Sequence, residues 1–244
     1  MLIQTDLLAV KIIAKELLLT EIHLTEFSPS IVQHPFTATG YIAERNDNGI
    51  KITNLVEDAE GLKAWQENIK ARIDEAETPY DIYKLINKPY ALTFLKFAEP
   101  YLSKEDMSAI LSDAWIRSEN PNSDVNVSKE ELISYFENSD AEFLMNEQEI
   151  EIMNSLSDTV TVFRGVTQRN ADNINALSWT LEKQKAEWFA NRFGEEGVVY
   201  EAQIPKENVL AVFTGRNEAE VVVNPKCLQN ITPLNENTLD IKMG

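Results

Sequence analysis

The chain reads as an α+β protein in which a mainly helical module, residues 1–155, precedes a mixed β-rich module, residues 156–244. Three observations predict this. Apolar residues recur three or four apart before residue 155 and fall into short β-branched runs after it. Capping and turn residues punctuate both patterns at the expected intervals. Acidic charge is concentrated in the first part, which carries 13 basic and 28 acidic side chains (net −15) against 9 and 12 (net −3) in the second.

The elements follow in order. Apolar clusters at 7–10 and 17–19 are interrupted by Lys11, Lys15 and Glu16, well short of the ~20 residues that a membrane helix needs. Residues 36–43 and 50–55 flank Asn46-Asp47-Asn48-Gly49 and predict a hairpin. Residues 57–76 place Leu62, Trp65, Ile69 and Ile73 on one helical face. Ser103 caps a predicted helix carrying Met107, Ile110, Leu111, Ala114 and Trp115, and Ser128 caps one carrying Leu132, Ile133 and Phe136. Asn120-Pro121-Asn122-Ser123-Asp124 between them is a loop. Beyond Leu156, residues 159–163, 197–204, 209–213 and 220–223 read as strands, and residues 182–193 as a helix with Ala186, Phe189, Ala190 and Phe193 on one face. The boundary is therefore expected near 150–157.

Composition removes several function classes. With 244 residues and 43% hydrophobic content the chain can bury an ordinary core. A net charge of −18 argues against a nucleic-acid or anionic-membrane footprint and suits a basic partner. The first six residues lack a basic segment ahead of an apolar stretch, so no secretion signal and a cytoplasmic location are expected. Cys227 has no second cysteine to pair with, and with only His23 and His34 beside it a multi-ligand Cys/His zinc site is excluded; no metal is expected. The second module contains no histidine, which excludes a Ser-His-Asp triad or Cys-His pair within it, and neither GxGxxG nor GxxxxGK[ST] occurs anywhere.

What remains in the second module is a set of polar residues at strand ends. Arg164 closes an apolar run and precedes Gly165, where the missing Cβ leaves room for a guanidinium that could grip a diphosphate or simply pair with a surface carboxylate. Ser178 and Thr180 lie two apart around Trp179, on one side if extended; they could brace the site, or belong to the N-cap region of the helix from 182, with Thr180 or Leu181 at its start. Glu218 and Glu220 share a strand face if the strand begins at Glu218, but stand at different heights if a turn closes at Ala219; as plain loop carboxylates they would also suit so acidic a chain. Paired carboxylates can divide labour in sugar transfer, one stabilising an oxocarbenium-like centre and the other orienting a nucleophile.

Phe163-Arg164-Gly165, then Leu177-Ser178-Trp179-Thr180 leading into a helix with Trp188 and Phe189, then Arg216-Asn217-Glu218-Ala219-Glu220, resembles the arginine-serine-glutamate class of mono-ADP-ribosyltransferases over residues 158–225. The resemblance implies an ADP-ribosyltransferase-like catalytic domain with NAD as substrate. Arg164, with Gly165 beside it, would hold the NAD diphosphate and ribose. Ser178 and Thr180 would support the pocket. Glu220 would be the catalytic glutamate that binds the nicotinamide ribose and stabilises the oxocarbenium ion, and Glu218 would orient or deprotonate the acceptor. Phe213 and Arg216 would lie in the loop that contacts the target protein. Glu rather than Gln at 218 favours arginine as the acceptor. The chain departs from the family in the short stretch between Arg164 and Ser178, where Asn170, Asp172, Asn173 and Asn175 suggest a tight polar loop, and in Thr180, which stands where a second serine is common.

In the first module, residues 88–101 and 115–121 resemble uncharacterised proteins of phages and prophages of Gram-positive bacteria; that resemblance supplies context and no activity, and together with the transferase resemblance it implies an effector acting on a host protein, in the host cytoplasm if phage-encoded. Tyr83, Tyr90, Phe94, Phe97 and Tyr101 are expected to form core or a partner-binding face rather than a cofactor site. The acidic helical module could deliver the transferase to a basic target or restrain it. Two rival readings are a non-catalytic interaction protein with a relic transferase fold and an NAD glycohydrolase.

Overall fold

Side-chain caps set most of the helix starts, and a computed structural model of the chain shows where the helices then pack. It describes residues 3–28, 30–46, 49–118, 124–167, 174–194, 197–215 and 218–234. The chain divides into two compact units, residues 1–127 and 128–244. Among the described residues, no helix is long and apolar enough to cross a membrane.

In the first unit, helix α1 (Leu7–Leu18) is capped by Asp6, whose carboxylate accepts from Ala9 N at 3.0 Å, and buries Val10, Ala14 and Leu18 at four-residue spacing. Helix α2 (Ala59–Glu75) starts at Asp58 and packs against α1, with the Lys15 ammonium paired to Asp74 near its end. Helix α3 (Pro79–Tyr83) opens with a reciprocal Thr78–Asp81 capping box and proline at its first position. Helices α4 (Ala91–Ala98) and α5 (Lys104–Arg117), the latter capped by Ser103 as its sequence predicts, bury Phe94, Leu95, Ile110, Leu111 and Trp115 with Tyr83. The aromatic series is therefore split. Tyr83 and Phe94 are core, whereas Phe97 and Tyr101 are exposed.

The first unit also holds more strand than its sequence suggests. Strands β1 (His23–Leu24), β2 (Ile31–His34) and β3 (Thr37–Thr39) form an antiparallel sheet, and β4 (Tyr41–Asn46) and β5 (Gly49–Asn54) form the expected hairpin. The predicted strand at 36–43 is broken at Gly40. Its N–H donates to Ser30 O at 2.9 Å and its carbonyl accepts from Leu55 N at 2.7 Å, while a Cβ there would meet Val32 at 3.2 Å.

The second unit begins with α6 (Lys129–Glu137), α7 (Ala141–Leu144) and α8 (Glu147–Ser155), then β6 (Thr159–Val166), β7 (Ser178–Thr180), α9 (Lys183–Asn191), β8 (Val198–Pro205), β9 (Val209–Phe213), β10 (Glu220–Val223) and β11 (Gln229–Leu234). Its six-stranded sheet runs in the order β11-β8-β6-β7-β10-β9, and every pairing is antiparallel. Helices α6 and α8 pack against β9, and α9 packs against β6 and β8. The division thus falls before α6 rather than near 155. Three helices that resemble those of the first unit in periodicity belong by their long-range packing with the sheet. The first unit then carries 12 basic and 20 acidic residues and the second 10 and 20, nets of −8 and −10, so the charge asymmetry disappears at the observed boundary.

Candidate functional site

Three neighbouring strands bring the predicted residues together. In the antiparallel pairing of β10 with β7, Glu220 lies opposite Thr180 and Val222 opposite Ser178. Residues directly opposite share a sheet face, and so do residues two apart, which makes Ser178 and Glu220 diagonal neighbours. Ser178 Oγ donates to Glu220 Oε1 at 2.5 Å. Strand β6 joins β7 through one pair, Phe163 opposite Thr180. One residue further on, the Arg164 guanidinium reaches across and donates through Nη1 to the Ser178 carbonyl.

All four residues of β10 are buried, and Glu220 is only 4% exposed. A carboxylate in that setting requires hydrogen bonds and opposite charge, which Ser178 and Arg164 supply. Burial pushes the Arg164 guanidinium down to about 10, and the charge of Glu220 opposes that fall. At neutral pH Arg164 is therefore cationic beside the buried Glu220 side chain. An arginine, a hydroxyl and a carboxylate in this order can hold a diphosphate-linked sugar and favour positive charge developing on it.

Of the two arrangements open to Glu218 and Glu220, the chain adopts the turn. Ala219 has φ +44, a left-handed conformation that costs a non-glycine residue on the order of 1 kcal/mol. Surrounding bonds hold it: Thr180 Oγ1 donates to Glu218 O at 2.7 Å, and Leu181 N donates to Ala219 O at 3.0 Å. Glu220 opens β10 while the half-buried Glu218 precedes the ladder, so the two carboxylates stand at different levels.

Four expectations for the site require correction or fall outside the described residues. Thr180 is 5% exposed; its hydroxyl donates to Glu218 O and accepts from Glu182 N at 3.1 Å, so it braces the turn and the start of α9 rather than a ligand. Gly165 serves packing, because a Cβ there would lie 2.0 Å from Ala186 O and 2.6 Å from Ala190 N on α9. Phe213 is not in a target-contacting loop. It ends β9 at 2% exposure with its ring 6.4 Å from that of Phe136. Arg216 lies outside the described residues.

No protein-family model, curated protein or solved structure significantly matches this chain. The functional reading accordingly stands on the geometry and chemistry of the site. Trp179, between the two hydroxyl residues, is core: it is 2% exposed and donates through Nε1 to Ala176 O at 2.9 Å. Sequence reasoning missed Glu149, a 3% exposed carboxylate on α8 that accepts from Thr214 N and Oγ1 at 2.7 and 3.0 Å. The only signal it left was local, the Asn146-x-x-Glu149 spacing of a capping box.

Proposed function

We propose that the chain is an NAD-dependent mono-ADP-ribosyltransferase that modifies a protein side chain, arginine being favoured by Glu218. The observation that carries this reading is the Ser178–Glu220 hydrogen bond with the Arg164 guanidinium at the same three-strand junction. Arg164 binds the diphosphate. The Glu220 carboxylate, fixed by Ser178, binds the nicotinamide ribose and stabilises positive charge at its anomeric carbon as the bond to the nicotinamide nitrogen breaks and its electron pair leaves with nicotinamide. The acceptor nitrogen then bonds to that carbon and gives its proton to Glu218. With that activity, the resemblance of residues 88–101 and 115–121 to phage proteins supplies the context in which the target is a host protein.

The test is incubation of the purified protein with adenylate-labelled NAD and bacterial lysate, reading labelled macromolecules and free nicotinamide. Glu220→Gln should lower both by about 10²–10³-fold, the scale of removing one preorganised electrostatic group, with a cooperative unfolding transition retained. Glu218→Gln should abolish label while nicotinamide release persists. Full activity in Glu220→Gln, or a wild type silent in both channels, overturns the reading.

A further inference from the structure

Among the described residues, β9 is one of the two edges of the six-stranded sheet, and a sheet edge leaves N–H groups without strand partners. The α7–α8 junction takes one of them and the N–H just beyond the strand. Val212 N donates to Met145 Sδ at 3.2 Å, and Thr214 N donates to Glu149 Oε1 at 2.7 Å, with Thr214 Oγ1 adding a second donor at 3.0 Å. The other Glu149 oxygen accepts from Asn146 N at 3.0 Å, closing the capping box of α8. A capping box needs only one carboxylate oxygen and is ordinarily solvated. Here the second oxygen is committed to a residue 65 positions away, and the whole side chain is buried.

Thr214 is the first residue after β9, and Glu220 the first of β10. The connection between them carries Glu218, leads directly into Glu220 and is fastened at two ends. Glu149 holds the Thr214 end; Thr180 Oγ1 and Leu181 N hold Glu218 and Ala219 at the other. We infer that Glu149 is a positioning residue for this connection, setting where Glu218 stands relative to Glu220 and thereby the division between transfer to an acceptor and hydrolysis of NAD. The inference rests on the transferase reading. Glu220 is fixed in the β10 ladder and by Ser178, whereas Glu218 precedes that ladder and stands nearer in the chain to Thr214, so loosening the Thr214 end acts on Glu218 before Glu220. Acceptor activation is thus more sensitive to residue 149 than cleavage of the nicotinamide bond.

The experiment uses the full chain with labelled NAD and agmatine, a free guanidinium acceptor, alongside lysate protein. Glu149→Ala should lower labelled acceptor by about 10²-fold, the penalty of an ångström-scale misplacement, while nicotinamide release stays within about threefold. Glu149→Gln, whose amide oxygen can still accept from Thr214 N at the expense of the bond from Asn146 N, should recover part of the transfer lost in Glu149→Ala. Parallel loss in both channels, or no loss in either, overturns the inference. Amide hydrogen exchange supplies a readout independent of activity: in Glu149→Ala, exchange should quicken at Thr214 and also at Glu218 and Ala219, and a change confined to Thr214 overturns it. A wild type without NAD turnover defeats the transferase reading, and the exchange result alone then decides whether Glu149 positions the connection.

Discussion

At the scale of the residue, two buried titratable groups meet the cost of burial in different ways. Glu220 has the Ser178 hydroxyl and the Arg164 charge. His34 is fully buried in the first unit, accepts from Phe36 N through Nδ1 at 3.1 Å, and among the described residues makes no well-formed hydrogen bond at Nε2. Burial pushes its imidazole below the usual 6.5, opposed by the carbonyls of Leu18 and Thr20. Protonation at Nδ1 would also remove the lone pair that Phe36 N uses. Between the folded value and 6.5 the unfolded chain binds a proton that the folded chain does not, so stability falls as pH drops through that window and the loss levels off below it. Urea unfolding followed through the first unit should weaken from pH 7 toward 5 by at most about 1.4 kcal/mol per pH unit for this one group. His34→Gln keeps an acceptor for Phe36 N without titrating and should flatten that part of the slope; an unchanged slope would rule His34 out as its source. Sequence singles out Arg164, Ser178 and Glu220 through their order in the transferase resemblance; Arg164 and Glu220 lie in or beside β-branched runs legible as strands, whereas the three-residue strand that Ser178 opens is not among the expected strands. Sequence could not separate Thr180 from them, since which hydroxyl faces a ligand and which braces a turn depends on Glu218 O, supplied from 38 residues away.

At the scale of the element, the second unit was more legible than the first. Residues 209–213 and 220–223 are strands to the residue, because β-branched runs bounded by turn residues leave little ambiguity. Strands β1 and β2 escaped notice because they are short, and His23, Gln33 and His34 interrupt their apolar pattern. The break at Gly40 depends on Ser30 and Leu55, neither of which is local. Gly165 illustrates the same limit, for its role is visible only once α9 is laid on β6. Substituting Gly165→Ala puts a methyl against helix backbone, which cannot move aside as a flexible side chain could. The expected destabilisation is about 1–3 kcal/mol, the range for overpacking a close contact, read as a lower urea midpoint at unchanged slope. An unaltered midpoint would mean that α9 does not lie as close to β6 as 2.0 Å implies.

At the scale of the whole molecule, periodicity and charge together misplace the boundary for one physical reason. Helices α6 to α8 are amphipathic and acidic like those before them, and what assigns them to the sheet is long-range contact with β9. Without these helices β9 would lose Phe136 against Phe213, Met145 against Val212 N and Glu149 against Thr214, exposing an apolar edge strand whose residues Val209, Ala211, Val212 and Phe213 are now buried. Such an edge is a template for aggregation. A fragment of residues 128–244 should therefore unfold cooperatively as a soluble unit, whereas residues 156–244, the module that strand patterning alone delimits, should aggregate or lack a cooperative transition. Circular dichroism melts and sedimentation of the two fragments make the comparison. A cooperative melt of the 156–244 fragment would show that the sheet supports itself, and the bonds from Met145 and Glu149 would then be accessory to the fold rather than part of what holds the β9 edge and the connection beyond it.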